Sequence, residues 1–158
     1  MKIAKQFRWE GAHRLPNHKG NCRNLHGHSY KMTIELKGML NEEGMVVDFA
    51  DLKALINPLI EAWDHATLVA EGDEDLINVL NTLGSKYFVL PYNSTSENLC
   101  QFVIDFIIKD GYSFLIKNSI SEIRVLIRET DTCYAELERS VILSEEEIPN
   151  SAYSVVNI

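Results

Sequence analysis

Residues 20–37 read GNCRNLHGHSYKMTIELK and join a loop rich in candidate metal ligands to a clear strand pattern. From Tyr30 to Lys37 every second residue is apolar, which is the period of a half-buried β-strand. The strand begins at the two histidines of this stretch. Because His26 and His28 are two positions apart, both imidazoles project to the same face and can reach one ion. The stretch therefore predicts a strand that starts with candidate metal ligands.

Before and after this stretch, the apolar pattern predicts a first strand, a short strand and a helix. Residues 3–13 indicate a strand, and Met45–Val47 indicate a short one that leads into the helix N-cap Asp48. Apolar residues then recur at helical spacing up to Trp63, although Pro58 lies within this segment. Residues 66–93 carry the weakest pattern, and we expect a surface insertion there.

The second half of the sequence predicts a capped helix followed by a strand pair. Residues 94–97 read STSE, which has the spacing of a capping box, and an amphipathic pattern follows with Cys100 as a core thiol. Residues 123–128 and 134–141 indicate two strands. The order ββααββ is typical of an α+β fold, so we predict an antiparallel four-stranded sheet with two helices on one face.

Length and composition limit the class of protein. The 158 residues are 46% hydrophobic, enough for one packed core, so we predict a single domain over residues 1–158 with residues 144–158 as a tail. No apolar run is long enough to span a membrane and no secretory signal is visible, which favours a cytoplasmic protein without a membrane partner. The net charge of -8 disfavours nucleic-acid binding.

Charge and cysteine usage point to the first quarter of the chain. Residues 1–37 contain eight of the 15 basic residues and only two acidic ones, a local net charge of +6. This region is either a solvated surface or a binding region for a small anionic substrate. The three cysteines, Cys22, Cys100 and Cys133, are odd in number and scattered, which favours reduced thiols.

A third histidine completes a candidate metal site. His13 ends the first predicted strand, which can pair with the second and bring its imidazole beside His26 and His28. Three neutral nitrogens with one open position are typical of a catalytic zinc site, whereas ordinary polar loop residues are the alternative interpretation. Cys22 is either a fourth ligand or an acid or base near the metal, because nearby cations favour a thiolate. His18 is expected in solvent, without a role.

Six short motifs in order carry a resemblance to a known family. They are AHRLP at 12–16, CRNLHGHSY at 22–30, GMVVDFADLK at 44–53, WDH at 63–65, TSEN at 95–98 and RET at 128–130. From about Phe7 to Tyr134 the chain resembles the 6-pyruvoyltetrahydropterin and 6-carboxytetrahydropterin synthase family, which has the tunnelling fold. The four-residue interval from Cys22 to His26 is similar to that of the bacterial carboxytetrahydropterin branch.

The resemblance implies roles for the residues that these motifs contain. It implies a zinc ion held by His13, His26 and His28, with Cys22 off the metal as the proton acceptor. Zinc would acidify protons near the substrate oxygens that it polarises, so a thiolate could remove one.

The later motifs imply a proton relay and a pterin anchor. The relay would consist of Asp64, His65 and Glu129, and Glu129 would also hold the pterin ring with help from Thr95 and Ser96. A carboxylate offers two acceptors to the amino and ring N–H groups of a pterin. A simple helix C-terminal cap is the alternative interpretation of the Asp64–His65 pair.

The implied activity is that of a zinc-dependent 6-carboxytetrahydropterin synthase, which converts 7,8-dihydroneopterin triphosphate to the carboxypterin, acetaldehyde and triphosphate on the route to queuosine. Two alternatives stay open: a 6-pyruvoyltetrahydropterin synthase or related pterin lyase, and a non-catalytic zinc- or pterin-binding module. The resemblance also implies a homohexamer, a dimer of trimers with active sites between subunits. Closing the sheets of several chains into a barrel would remove exposed strand edges.

Overall fold

A six-stranded mixed sheet organises residues 1–141, the part of the chain that the computed structural model describes. The strands are β1 (Lys2–His13), β2 (His26–Gly38), β3 (Ala66–Ala70), β4 (Tyr87–Leu90), β5 (Ile120–Arg128) and β6 (Tyr134–Ser140). Their order in the sheet is β4-β3-β1-β2-β5-β6. Neighbours are antiparallel from β1 to β6, whereas β3 runs parallel to β1, and β4 parallel to β3.

Four α-helices connect these strands within the same residues. They are α1 (Phe49–Trp63), α2 (Glu74–Leu83), α3 (Ser96–Asp110) and α4 (Tyr112–Lys117). Asp48 caps α1 as predicted, since its side chain accepts a hydrogen bond from the amide of Ala50. Thr95 caps α3 by accepting from the amide of Asn98. None of the helices between residues 1 and 141 has both the length and the apolar character needed to cross a membrane.

The α+β prediction is confirmed, but the predicted four-stranded antiparallel sheet with the order ββααββ is wrong. Residues 66–93 are not a surface insertion, because they form β3, α2 and β4 and extend the sheet with two parallel strands. Residues 66–69 are all buried, so β3 shows no alternation from which a strand could be recognised. The predicted tail, residues 144–158, lies outside the described residues.

The short strand predicted at Met45–Val47 is also absent from the described structure. The side-chain oxygen of Asn41 accepts hydrogen bonds from the amides of Glu43 and Met45, and these bonds fold the segment into a turn. Val46 and Val47 are nevertheless buried, so their apolar pattern reflects packing and not strand pairing.

One face of the sheet, here called the inner face, packs against α1 and α3. Trp9 of β1 stacks on Tyr30 of β2 with ring centroids 4.8 Å apart, and both belong to the main core cluster. Cys100 of α3 is fully buried, which confirms it as a core thiol, and burial raises its pKa to about 12. The opposite, outer face of the central strands carries polar side chains such as Glu10 and Ser29.

Candidate metal centre and active site

Three histidines meet where β1 ends and β2 begins. The strand register places His13 opposite His26 and Gly11 opposite His28, and alternation puts all three imidazoles on the inner face. One ligand nitrogen from each ring lies within 4.8 Å of those of the other two. We call this group the three-histidine cluster. The predicted convergence of these side chains is therefore confirmed.

Backbone carbonyls orient two of the three rings. Nδ1 of His13 lies 2.8 Å from the carbonyl oxygen of Ser94, and Nδ1 of His26 lies 2.8 Å from that of Asn24. Because a carbonyl oxygen only accepts, each Nδ1 must carry the proton, which leaves the Nε2 lone pair free to bind a metal. This is the usual outer-shell arrangement around a metal-binding histidine.

The inner nitrogens of the cluster have the properties of metal ligands. Nε2 of His13 and Nε2 of His28 are buried and have no hydrogen-bond partner among the described residues. Buried polar atoms without a partner are rare, so these two nitrogens indicate that a bound group belongs between the rings. The donor set of three imidazoles fits zinc, copper, iron or nickel by ligand type, and a tetrahedral zinc with an open fourth position by ligand number.

The electrostatic surroundings keep two rings of the cluster neutral. Burial lowers the pKa of His13 below its ordinary value of 6.5, against the opposing effects of the Ser94 hydrogen bond and the charge of Glu129. Burial also lowers the pKa of His28, again opposed by Glu129. Neutral imidazole is the form that binds metal, so these shifts favour metal binding at neutral pH.

Cys22 lies in a short 3-10 turn between the two strands. The turn comprises Asn21–Arg23, and its carbonyl at Cys22 accepts a hydrogen bond from the amide of Leu15 at 2.8 Å. Cys22 is half-buried and is not part of the three-histidine cluster. Lys19 and Arg23 beside it are exposed. This arrangement favours a role off the metal, which stays a prediction.

Asp64 and His65 form a hydrogen-bonded pair directly after α1. Oδ2 of Asp64 lies 2.9 Å from Nδ1 of His65, and Asp64 is also the C-cap of the helix, so the two interpretations of this dipeptide are compatible. His65 has a left-handed backbone with φ of 57°, an uncommon conformation for a side chain of this size.

The backbone of Glu10 holds this pair against β1. The amide of Glu10 donates to Oδ1 of Asp64 at 2.9 Å, and its carbonyl accepts from the amide of His65 at 2.6 Å. The hydrogen bond from Glu10, followed by that of His65, lowers the pKa of Asp64 below its ordinary value. Asp64 is therefore an anionic acceptor that fixes the orientation of the His65 imidazole.

His65 lines a cleft of about 410 Å³ where β1 ends and β2 begins. Glu10, Gly27, His28 and Ser29 also line the cleft, and the Ser29 hydroxyl donates to the Glu10 carboxylate at 2.6 Å. The three-histidine cluster lies on the inner face of the same two strands. Because His28 belongs to the cluster, the cleft that His65 lines adjoins the three-histidine cluster within one chain.

Glu129 acts electrostatically on the three-histidine cluster. It follows β5, is half-buried and lines a cavity of about 330 Å³ together with Lys31 and Arg128. Its negative charge raises the proton affinity of both His13 and His28, so it lies within electrostatic reach of the cluster in the same chain.

The two other residues of the implied pterin anchor lie at the start of α3. The hydroxyl of Thr95 accepts the capping hydrogen bond from Asn98 at 3.3 Å. The hydroxyl of Ser96 is buried and has no partner among the described residues, so it is available to a bound molecule. That Thr95 and Ser96 contact a substrate stays a prediction.

Sequence patterns missed the residues that support these groups. Ser94 and Glu10 act through backbone atoms, for which side-chain patterns carry no signal. Lys86 caps the end of α1 by donating from Nζ to the carbonyls of Glu61 and Asp64, at 2.6 and 2.7 Å. No local motif marks this lysine, because the contact depends on the strand pairing of β4.

These features define a class: α+β proteins with three histidines on adjacent strand ends that could hold a metal ion. Residues 2–140 match the family model described as 6-pyruvoyl tetrahydropterin synthase, and the chain belongs to this family.

Relatives and solved structures agree with this assignment. The chain is 36% identical over 146 residues to a Haemophilus influenzae protein named 6-carboxy-5,6,7,8-tetrahydropterin synthase, covering 87% of this chain and 99% of that protein. It is 30% identical to an Archaeoglobus fulgidus protein named as a putative enzyme of that activity, covering 88% and 96%. The structure of Plasmodium falciparum 6-pyruvoyl tetrahydropterin synthase aligns with a TM-score of 0.71 at 19% identity, covering 89% of this chain and 98% of that one. This likeness confirms the expected fold family.

Proposed function

We propose that this protein is a zinc-dependent 6-carboxy-5,6,7,8-tetrahydropterin synthase that converts 7,8-dihydroneopterin triphosphate to 6-carboxytetrahydropterin, acetaldehyde and triphosphate. The observation that carries this proposal is the three-histidine cluster, in which Nε2 of His13 and Nε2 of His28 are buried without a partner among the described residues. The similarity to the Haemophilus influenzae protein of that name supports the choice of reaction. We place the product on the route to 7-deazaguanines such as queuosine.

The proposed chemistry assigns metal binding to the cluster and proton removal to the thiol. Zinc held by His13, His26 and His28 would supply Lewis-acid polarisation of the oxygens on the substrate side chain. Cys22 accepts a proton from a carbon of that side chain. Its position in a turn outside the cluster is consistent with a sulfur that does not bind the metal.

The remaining proposed residues orient the substrate and move a second proton. His65 donates or accepts this proton, while Asp64 holds its ring through the 2.9 Å hydrogen bond. Glu129 accepts hydrogen bonds from the amino and ring N–H groups of the pterin, with Thr95 and Ser96 beside the ring. The hydroxyl of Ser96, which has no hydrogen-bond partner within residues 1–141, supports this placement.

We infer that the complete active site forms between subunits of a closed oligomer, which we take to be a hexamer of two trimers. One observation supports this inference. The outer edges of β4 and β6 have no strand partner within residues 1–141, so both can pair with another chain.

A product assay with a parallel zinc measurement tests the proposal. Purified protein with one zinc per chain is incubated with 7,8-dihydroneopterin triphosphate, and the pterin is identified by mass. We expect 6-carboxytetrahydropterin together with acetaldehyde. Formation of 6-pyruvoyltetrahydropterin would instead support the second candidate, which the matching family model favours by its description.

The Cys22→Ala variant separates the enzyme from a non-catalytic zinc-binding module. If Cys22 is the proton acceptor, turnover falls by roughly 10²- to 10⁴-fold while zinc content and thermal stability stay unchanged. If Cys22 is a fourth ligand of a structural site, zinc and stability are lost together, because structural zinc sites contribute folding energy.

A further inference from the structure

The segment that was expected to be an insertion reaches the metal site. Strands β1, β3 and β4 are parallel, so their carboxyl ends lie at the same side of the sheet. His13 is the last residue of β1, Asp73 follows β3, and Ser94 follows β4. The hydrogen bond from Nδ1 of His13 to the Ser94 carbonyl is fully buried, since His13 is 2% exposed and Ser94 is 0% exposed.

An ion pair ties the same segment to the residue after His13. Nε of Arg14 lies 2.7 Å from Oδ2 of Asp73, and a second guanidinium nitrogen contacts Oδ1, so the pair is bidentate. The Asp73 side chain is only 4% exposed and that of Arg14 is 27% exposed. Asp73 also caps α2 by accepting from the amide of Leu76. Arg14 is thus engaged inside the protein and is not a free cation for a triphosphate.

We propose that the Arg14–Asp73 pair positions the metal site by locking the segment 66–93 to the strand end that carries His13. The lock keeps the Ser94 carbonyl on Nδ1 of His13, which fixes the ring orientation and the tautomer that leaves Nε2 free. Arg14 and Asp73 are positioning residues, since neither belongs to the cluster. This inference rests only on the part of the proposed function that gives the cluster a zinc ion.

The Arg14–Asp73 pair differs from an ordinary surface ion pair, since its carboxylate is buried. Exposed pairs contribute little because water screens them, whereas a bidentate pair with a buried carboxylate keeps a fixed geometry. Removing one partner leaves the charge of the other unpaired and allows the two segments to separate. Outer-shell partners of metal-binding histidines are typically worth about 10- to 100-fold in metal affinity, so a displaced Ser94 carbonyl has a measurable cost.

The Asp73→Asn variant tests the inference with little change in shape. Asparagine is as good an N-cap as aspartate, so α2 keeps its cap while the charged bidentate contact is lost. We expect zinc affinity, measured by competition with a chromophoric chelator, to fall by about 10-fold or more. The visible spectrum of the cobalt-substituted protein should also change, because it reports the ligand geometry directly.

A second variant and a matched control complete the design. Arg14→Lys keeps the charge but loses the planar fork, so we expect a smaller loss of zinc affinity in the same direction. Asp105→Asn is the control, because Asp105 and Arg139 form a half-buried ion pair at 2.6 Å between α3 and β6. It should leave both zinc affinity and the cobalt spectrum unchanged.

The outcomes distinguish this inference from the proposed function. If the unmodified protein binds zinc and both Arg14→Lys and Asp73→Asn bind it with equal affinity and spectrum, the pair is only a structural contact and the inference is wrong. If the unmodified protein binds no zinc, the proposed function fails at its first step and takes the inference with it.

Discussion

The three-histidine cluster and the Asp64–His65 pair hold imidazoles in opposite ways. His13 is 2% exposed and is fixed between two strands, whereas the side chain of His65 is 77% exposed and follows a helix in a left-handed conformation. In the cluster, burial lowers the pKa values of His13 and His28 and so favours the neutral form that binds a metal. The pair has an accessible ring beside an anionic carboxylate, which proton exchange with a substrate requires. The difference predicts that the two regions fail in separable ways.

Removing a ring of the cluster should have the largest effect. In His13→Ala we expect zinc affinity to fall by more than about 100-fold, because outer-shell partners alone are worth about 10- to 100-fold. Turnover should be lost with the metal. Zinc content after dialysis, measured by atomic emission, together with the product assay checks this.

His18 supplies a matched control for that experiment. It lies in the same loop region, is exposed, and uses Nδ1 to accept a hydrogen bond from the amide of Gly20 at 2.9 Å. His18→Ala should keep one zinc per chain and normal turnover. Equal zinc loss in His13→Ala and His18→Ala would contradict the assignment of the metal to the cluster.

Removing the exposed imidazole of His65 should reduce turnover and leave metal binding unchanged. Glutamine at position 65 keeps a polar group near Asp64 but cannot exchange a proton near neutral pH. In His65→Gln we expect kcat to fall by roughly 10²- to 10⁴-fold, the range of general acid–base catalysis, with zinc content unchanged. Steady-state kinetics on the zinc-loaded variant measures this. Loss of zinc from His65→Gln would mean that the two regions are not independent.

Replacing Lys86, which holds the Asp64–His65 pair in place, should reduce kcat by a smaller factor. Lys86 binds the carbonyls of Glu61 and Asp64, so Lys86→Met removes a cap on the helix end from which His65 projects. We expect kcat to fall by about 10-fold, less than the roughly 100-fold that a 1 Å misplacement can cost. Lys53→Met, a change at an exposed lysine of α1, is the control. If the loss of Lys86 changes the surroundings of His65, the pH–rate profile should shift in Lys86→Met and stay unchanged in Lys53→Met.

The sequence was most informative where a structural feature depends on residues close together in the chain. The spacing of His26 and His28 predicted a shared face, and the alternation after Tyr30 predicted β2. Asp48 predicted the start of α1. These features depend on neighbouring residues in the chain, so local patterns carry them.

Features that depend on distant pairing could not be predicted in this way. The short strand β3 is buried on both faces and shows no alternation, so its parallel pairing with β1 was missed. Its consequence, the contact of Ser94 with His13, uses a backbone oxygen 81 residues away in the chain. The Arg14–Asp73 pair was missed for the same reason, and Arg14 counted only as one of the basic residues of the first quarter of the chain.

The smallest expected effect concerns the carboxylate of the exposed pair. The pKa of Asp64 is lowered from 3.8, so the anion contributes stability that is present above this value and lost as pH falls through the lower, folded-state pKa. Asp64→Asn keeps an acceptor for the Glu10 amide but carries no charge. We expect metal-free Asp64→Asn to melt slightly below the unmodified protein at about pH 6, and this difference to shrink below pH 3.8 and then vanish. Thermal unfolding over this range measures it; a difference that stayed constant with pH would show that the charge of Asp64 does not stabilise the fold.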